Sequence, residues 1–420
     1  MQKTIINNAT FAILAMLAFC FCHAYAKEAP PFQTVPMTLK ASTILPATIL
    51  KGNGYSVADQ VSNDGFLNTY ILESEYGELN VTGTDKLLAR IQEIKATRAL
   101  EDLERSDAFK DAAKGAVEGM VEGGKSLVTS PVDTSKRAAK GFGRWVSNVG
   151  RSFTSDDPDQ ENALATALGH DAAKRAYALE FGVDPYTDFE PFQERLGEVA
   201  QAATAGGLIA KMALDVGTEG TMVGTVVTVS SAAAMKDMIK DNPPGRLNEL
   251  NRSRLEKMGI PDYQIHAFNR NYNYTAMERA LLVEALRRMG DVKGREIFVA
   301  YSTAAPDEVI ARYMQQTAEM MANYISDTGP ADIVELGGQP ILITRDGKAI
   351  LASAVDYLVW TKRLSEIVEA TSSAISDLPN VKSRELLIEG QVDPAVRAAF
   401  EGQDWKVKDH VGLAARDSLE

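Results

Sequence analysis

Apolar residues recur with different periods along the chain, and each period predicts a different kind of element. Between residues 54 and 83, runs rich in Tyr, Val, Ile, Leu and Thr are separated by the turn sequences NDG and EYG, which is typical of an antiparallel meander. From 84 to 330 the apolar residues recur mostly every three or four positions, which predicts helices. After 331 the pattern returns to short runs separated by GG and RDGK, which predicts strands.

This succession predicts an α+β fold that is mostly helical: an N-terminal antiparallel β-meander, an amphipathic helical arm, a central helical domain and a small C-terminal α/β unit. The sequence DNPPG at 241–245 is a strong break between helical regions. The expected regions are a signal peptide (1–26), an extended leader (27–53), the β-meander (54–83), the arm (84–153), a helical region (154–240), the helical domain (241–330), the α/β unit (331–410) and a tail (411–420).

Two local predictions within these regions are specific. Thr275 followed by Glu278 is a capping-box pattern and predicts the start of a helix over 275–289. In the α/β unit, the pattern predicts a helix over roughly 355–376, followed by a strand–helix–strand motif.

The first 26 residues have the pattern of a cleaved export signal. Lys3 precedes the apolar run Phe11–Cys22, and Ala24-Tyr25-Ala26 supplies the small-x-small cleavage pattern. A run of 12 apolar residues is shorter than the roughly 20 that a spanning helix needs. We therefore expect an exported protein of the periplasm or cell envelope.

Composition narrows the chemistry further. Both cysteines, Cys20 and Cys22, lie in the predicted signal peptide, so the exported chain would hold no disulfide, thiolate metal site or cysteine nucleophile. The net charge of −13 argues against nucleic acid as a partner. The remaining histidines, His170, His266 and His410, have no second histidine at metal-ligand spacing, and we expect neither a metal nor a cofactor.

A basic, acid-free segment at 135–153 stands out against this acidic background. Its apolar residues fall on one helical face and its cations lie mostly off that face, the pattern of an interfacial membrane helix. Two interpretations remain open: the segment contacts a membrane surface or envelope partner, or it docks on the protein's own acids, of which SDDPDQE at 155–161 follows directly. The candidate contact residues are Lys136, Arg137, Lys140, Phe142, Arg144, Trp145, Arg151 and Phe153.

Catalytic motifs are not evident, and no catalytic residue is assigned. The chain lacks a Gly-x-Ser-x-Gly elbow, a His-Glu-x-x-His helix and a complete phosphate loop. A stretch dense in Asn, Tyr and Arg could line a groove for a sugar or peptide, and the simpler interpretation is a well-bonded loop between two helices. Its candidate residues are His266, Arg270, Asn271, Tyr272 and Tyr274.

Residues 54–104 resemble the amino-terminal block of a family of exported bacterial proteins of unknown function. The resemblance extends to FGVDPYT and to LLIEGQVDPAVRAAFEGQDWKV near the end. It implies bacterial export and brings no activity with it. The residues that carry the pattern are Asn63, Asp64, Gly65, Leu67, Asn68, Tyr70, Leu87, Arg90, Ile91, Glu93, Ile94 and Leu100.

These observations favour an exported, non-enzymatic interaction protein whose basic arm contacts a membrane surface or an envelope partner. The alternative is a periplasmic hydrolase that acts on glycan or peptide, with its site in the central helical domain near 266–279. A buried pocket that holds His266 with a carboxylate and an arginine would favour the hydrolase.

Overall fold

The computed structural model describes residues 30–105, 109, 158–206 and 229–411. Within these residues the fold is α+β, with an antiparallel sheet near the N-terminus, helices in the middle and a mixed sheet near the C-terminus. The predicted fold class is therefore confirmed. The signal peptide and the segment 135–153 lie outside the described residues.

The N-terminal sheet is built around one long central strand. Its strands are β1 (Met37–Lys40), β2 (Lys51–Gly52), β3 (Tyr55–Val57), β4 (Gln60–Asn63), β5 (Asn68–Ser74) and β6 (Gly77–Thr82). All of its ladders are antiparallel, and β5 pairs with β3 and β4 on one side and with β6 on the other. The meander prediction holds for the hairpin of β5 and β6, whereas the apolar run before NDG forms two strands, β3 and β4, separated by Ala58 and Asp59.

The prediction of an extended leader over 27–53 is wrong for most of its second half. Here β1 pairs with β4, β2 pairs with β3, and two single-turn helices, α1 (Ala41–Ile44) and α2 (Ala47–Leu50), connect them. The leader has no clear period because its short edge strands are defined by backbone pairing with the meander, and such pairing leaves little trace in the local pattern.

A layer of helices packs behind this sheet: α3 (Thr84–Arg105), which follows β6 directly, α4 (Pro158–Glu180) and α5 (Glu190–Gly206). The next helix, α6 (Val229–Asp241), packs on α4, and its Met235 and Ile239 share a cluster with Leu179 and with Leu281 of the central helices. The core between sheet and helices holds large side chains such as Tyr70, Leu87 and Phe192.

The central helices form the largest core. The capping box predicted at Thr275 and Glu278 is confirmed, since the Thr275 side chain accepts from the Glu278 backbone and the Glu278 side chain accepts from the Thr275 backbone. The helices are α7 (Pro244–Lys257), α8 (Asp262–Asn269), α9 (Ala276–Arg288), α10 (Arg295–Thr303) and α11 (Glu308–Thr328).

The C-terminal unit is a five-stranded mixed sheet with α12 (Lys362–Ser376) and α13 (Pro394–Glu401) on one face. Its strands are β7 (Ala331–Leu336), β8 (Gln339–Thr344), β9 (Lys348–Ser353), β11 (Ser383–Ile388) and β13 (Trp405–Lys408), and β10 (Tyr357–Leu358) and β12 (Gln391–Val392) form a separate parallel pair. The strand order is β13-β11-β9-β8-β7, antiparallel from β7 to β9 and parallel from β9 to β13.

The predicted helix over 355–376 begins seven residues later than expected. Backbone N–H groups of Tyr357 and Val359 donate to the carbonyls of Phe66 and Gly65, at 3.2 and 3.0 Å, so this stretch is held extended against the N-terminal sheet. Thr361 then caps α12 by accepting a hydrogen bond from the Leu364 backbone. The apolar run was buried by a distant part of the chain rather than by a helix.

The expected boundary between helical domain and α/β unit does not separate two cores. Phe298 and Met321 of the helices share one cluster with Leu342, Ile350 and Leu387 of the sheet. The opposite face of the sheet packs on α12 and α13. Because both sheet faces are buried, the central strands are almost continuously apolar.

A buried asparagine lies in α7, the helix that packs on α9. Asn251 lies between Leu247 and Leu255 on the buried face of α7, is fully buried, and neither amide atom has a hydrogen-bond partner among the described residues. We expect Asn251→Leu, which keeps the branched shape, to raise the free energy of unfolding by about 1 kcal/mol, because an unpaired buried amide is costly. Urea unfolding measures this change.

The control is the same substitution three residues earlier. Asn248 is half-buried and its Oδ1 accepts a hydrogen bond of 3.0 Å from Nη1 of Arg279. Asn248→Leu should give no gain, since it removes a bond that is made. A destabilised Asn251→Leu protein would show that the Asn251 amide is satisfied in solution.

Within the described parts of the chain, no helix combines the length and the apolar character needed to cross a bilayer.

Candidate functional site

Polar side chains from the N-terminal unit, the central helices and the C-terminal unit meet in one cluster, which is largely buried except at Asp188, whose side chain is half-exposed. We call this cluster the polar junction. It comprises Asp85, Arg90 and Glu93 of α3, Asp184, Thr187 and Asp188 of the loop after α4, Thr275 and Glu278 at the start of α9, Arg312, Gln316 and Glu319 of α11, and Asp356 before β10.

Arg312 is the central cation of the polar junction. Its Nη2 lies 2.7 Å from Oε1 of Glu278. Burial by itself lowers the pKa of Arg312, but the carboxylates of Glu278, Asp184, Asp85 and Glu93 outweigh this effect and raise it. One guanidinium therefore faces acids from α3, from the loop after α4 and from α9, and it helps to hold these three elements together.

Asp356 ties the C-terminal unit to the N-terminal unit. Its carboxylate accepts hydrogen bonds from the backbone N–H of Asn68, at 2.8 Å, and of Thr84, at 2.9 Å. Thr84 is the first residue of α3, so a residue 272 positions away in sequence satisfies an N–H at the start of this helix. A carboxylate is favourable there because the N-terminal end of a helix is partially positive.

Several acids of the polar junction have raised pKa values, in each case chiefly because of burial. The pKa is about 6 for Asp184, about 6 for Asp356 and about 8 for Glu319, and the pKa of Glu93 is also raised. Burial disfavours the charged form of a carboxyl group. The polar junction thus holds acids that release their protons near neutral pH.

A surface cleft lies on another side of the helical domain, between α8, α10 and the hairpin of β7 and β8. Its volume is about 380 Å³, which is within the range of small-molecule sites. The helices contribute Gln264, Glu296, Ile297, Ala300 and Tyr301 to its lining, and the hairpin contributes Glu335, Gly338 and Pro340. We call the apolar residues Ile297, Ala300 and Pro340 the floor of the cleft.

Two close approaches of glycine fix the walls of the cleft. Gly294 precedes α10, and a Cβ there would lie 1.9 Å from the carbonyl oxygen of Ile333 in β7. Gly337, at the tip of the hairpin, has a φ of +60°, and a Cβ there would lie 2.6 Å from the backbone nitrogen of Thr371 in α12. Only glycine fits these contacts, so the helix and the hairpin are held at a set distance.

The cleft is acidic and has an apolar floor. Glu296 and Glu335 are exposed, and neither side-chain carboxylate forms a hydrogen bond or ion pair with a described residue. Burial, followed by the influence of Tyr313, raises the pKa of Tyr301, so its phenol stays neutral. None of the residues that line the cleft is a lysine, arginine or histidine.

The structure does not assemble the predicted groove residues into one wall. Tyr274 is buried, its ring packs on Phe268 with 5.4 Å between centroids, and its hydroxyl donates to the carbonyl of Ser302. Asn271 donates to the carbonyls of Thr303 and Ala305. The loop is thus bonded to the end of α10, as in the structural alternative considered above.

The other three groove candidates, His266, Arg270 and Tyr272, are exposed. The structure therefore does not show the arrangement that would favour a hydrolase, with His266 buried beside a carboxylate and an arginine. The eight candidate residues of the segment 135–153 lie outside the described residues. Among those that are described, no three His, Cys, Asp or Glu side chains form a group able to hold a metal ion.

Among the residues on which the expected resemblance rests, Arg90 and Glu93 belong to the polar junction and Asn63 and Asn68 lie beside it. The apolar ones lie in the core of the N-terminal unit: Tyr70, Leu87, Ile91, Ile94 and Leu100. Asn63 donates to Oδ1 of Asn68 and to the carbonyl of Tyr357, and Asn68 donates to the Tyr70 hydroxyl. Arg90 pairs with Glu93 and with Asp188, each at 2.8 Å. The partners of these residues, such as Asp188 and Asp356, are far away in sequence, and no local sequence pattern links them. No local pattern identified the acids of the cleft either.

No family model, curated protein or solved structure matches the chain.

Proposed function

We propose that this chain is an exported protein of the bacterial envelope that acts as a non-enzymatic interaction protein, with the basic segment 135–153 as its contact with a membrane surface. The observation that carries the proposal is the sequence of this segment: five cations without an acid, combined with Phe142, Trp145 and Phe153 on one helical face. Basic side chains meet lipid phosphates while aromatic rings enter the interface.

The arrangement of the neighbouring helices supports this proposal. Arg90 pairs with Asp188 near the starts of α3 and α5, and Arg195 lies 3.9 Å from Glu101 further along both helices, so α3 and α5 are parallel. The short loop between α4 and α5 makes these two packed helices antiparallel. The chain therefore leaves α3 and re-enters α4 at the same end of the helical layer.

The body to which the segment is joined is well braced. The polar junction connects the three units through ion pairs and hydrogen bonds, and the helical domain shares its core with the C-terminal sheet. A braced body with an insertion at one end suits a protein that presents a contact segment to a surface.

Flotation with liposomes tests the proposed contact. The protein should float with vesicles that contain anionic lipid at low salt, and less at high salt, because each cation contributes about 1 kcal/mol near an anionic surface. Lys136→Glu/Arg144→Glu should abolish flotation. Lys257→Glu/Lys406→Glu changes the net charge equally at exposed positions of the body and should leave flotation intact.

Absence of flotation at low salt, or equal flotation of both double variants, would contradict a membrane contact through 135–153. The first result would favour docking of the segment on the protein's own acids. The end of the helical layer offers Glu101, Glu104 and Glu198 for this, although Arg195 already lies beside all three.

A further inference from the structure

The cleft between α10 and the hairpin has the features of a ligand site that no sequence motif indicates. It is large enough for a side chain or a small molecule, at about 380 Å³. The close approaches of Gly294 to Ile333 in β7 and of Gly337 to Thr371 in α12 hold its walls in place. A preformed cavity reduces the ordering cost of binding.

The lining selects the charge of a ligand. Glu296 and Glu335 stand on opposite walls, one on α10 and one on β7, and neither is neutralised by a described cation. An anion such as phosphate would meet two carboxylates in the cleft and would be repelled, whereas a cation would be attracted from both sides.

The floor selects the shape of a ligand. Ile297, Ala300 and Pro340 supply apolar side chains to the same lining as the two acids, and Tyr301 adds an aromatic ring. An aliphatic stem can cover this floor while its charged end reaches a carboxylate, in the way that long basic side chains lie along apolar surfaces. A compact, fully hydrated cation would leave the floor unused.

We propose that this cleft binds a cationic nitrogen group carried on an aliphatic stem, either the lysine or arginine side chain of a peptide or a free alkyl amine. Glu296 and Glu335 pair with the cation, and the floor of Ile297, Ala300 and Pro340 contacts the stem. The segment 135–153 is not needed for this site, so the proposal is independent of the membrane contact.

Calorimetric titration of the full chain tests the proposal with three probes. N-acetyl-lysine methylamide represents a peptide side chain, cadaverine represents a free amine, and N-acetyl-norleucine methylamide is a neutral probe of nearly the same shape. We expect at least one cationic probe to bind about tenfold more tightly than the neutral probe, and more weakly at high salt. Binding of the lysine probe alone would indicate a peptide, and binding of cadaverine would indicate free amines.

Two variants examine the site from different sides. Glu296→Gln/Glu335→Gln should weaken the cationic probe about tenfold, whereas Glu78→Gln/Glu190→Gln, which removes two exposed acids elsewhere, should not. Ala300→Trp fills the floor without a change of charge and should also block binding. These positions are exposed, so the variants should fold, and circular dichroism verifies this.

The proposal is overturned if no cationic probe binds, or if the norleucine probe binds as tightly as the lysine probe. It is also overturned if the Glu296→Gln/Glu335→Gln protein retains the affinity of the parent, because a cation bound elsewhere would not respond to these two carboxylates.

Discussion

Replacement of Arg312 by methionine is expected to lower the free energy of unfolding by about 3–5 kcal/mol, because it leaves buried carboxylates without their central cation. Glu278 is 2.7 Å from the guanidinium, and Asp184, Asp85 and Glu93 also face it. Methionine keeps much of the length and apolar character of the side chain, so the loss reports mainly on charge. Urea unfolding followed by tryptophan fluorescence measures it.

Two comparisons separate this effect from a general effect of losing an arginine. Arg252→Met removes an exposed arginine that is paired with Glu256 and Asp262, and should cost at most about 1 kcal/mol. Arg312→Met/Glu278→Gln should recover part of the loss, since fewer unpaired charges remain buried. If Arg312→Met is no more harmful than Arg252→Met, Arg312 is not the central cation of the junction.

The free energy of unfolding is expected to fall as the pH rises from about 5 to about 8. Burial raises the pKa of Asp184 and of Asp356 from 3.8 to about 6, and that of Glu319 from 4.5 to about 8. Between the unfolded and folded pKa values the folded state holds more protons, so stability decreases with pH. At about 1.4 kcal/mol per pKa unit, each aspartate contributes roughly 3 kcal/mol and Glu319 roughly 5 kcal/mol, present below the unfolded pKa and lost as the pH passes the folded pKa.

The pKa of Asp188 is shifted in the opposite direction, so Asp188 affects stability in a lower pH range. Burial alone would raise its pKa, but the charges of Lys86 and Arg90 outweigh this effect and lower it. Its contribution to stability is present above its ordinary pKa near 4 and is lost at lower pH. The decline from about pH 5 to about pH 8 therefore belongs to the acids with raised pKa values.

Glu319→Gln identifies one of these acids. Glutamine resembles the neutral carboxyl group that Glu319 carries below pH 8, and it keeps an acceptor for the 2.7 Å bond from Gln315. The variant should have the same free energy of unfolding as the parent at about pH 5 and a higher one at about pH 8.5. Glu78→Gln, at an exposed site, should keep the slope of the parent. If the free energy of unfolding of the Glu319→Gln protein falls above about pH 7 as steeply as that of the parent, the titration belongs to another group.

The fold could be anticipated in outline because burial of regular elements leaves a period in the sequence. The capping box at Thr275 and Glu278 and the strands of the C-terminal sheet were predicted in this way and are confirmed. The errors occur where distant backbone supplies the partner. The strand Met37–Lys40 depends on β4, and residues 356–359 depend on the turn at Gly65 and Phe66.

The functional sites were less predictable than the fold. Tyr274 was a groove candidate because its neighbours are polar, yet its ring and hydroxyl are both satisfied inside the core. The family pattern marked Asn68, Arg90 and Glu93, but their partners at Thr187, Asp188 and Asp356 lie about 100 to 290 positions away. No rule of local spacing connects such residues.

The sequence by itself determined the local elements, the acidic balance of the chain and the basic, aromatic character of residues 135–153. These properties depend on residue composition and on the spacing of apolar residues within a segment, and both can be read without knowing how the chain folds. Tertiary structure alone decided which acids surround Arg312 and which acids line the cleft together. Electrostatic energy depends on distance in space and on burial, and both arise only when remote segments have packed together.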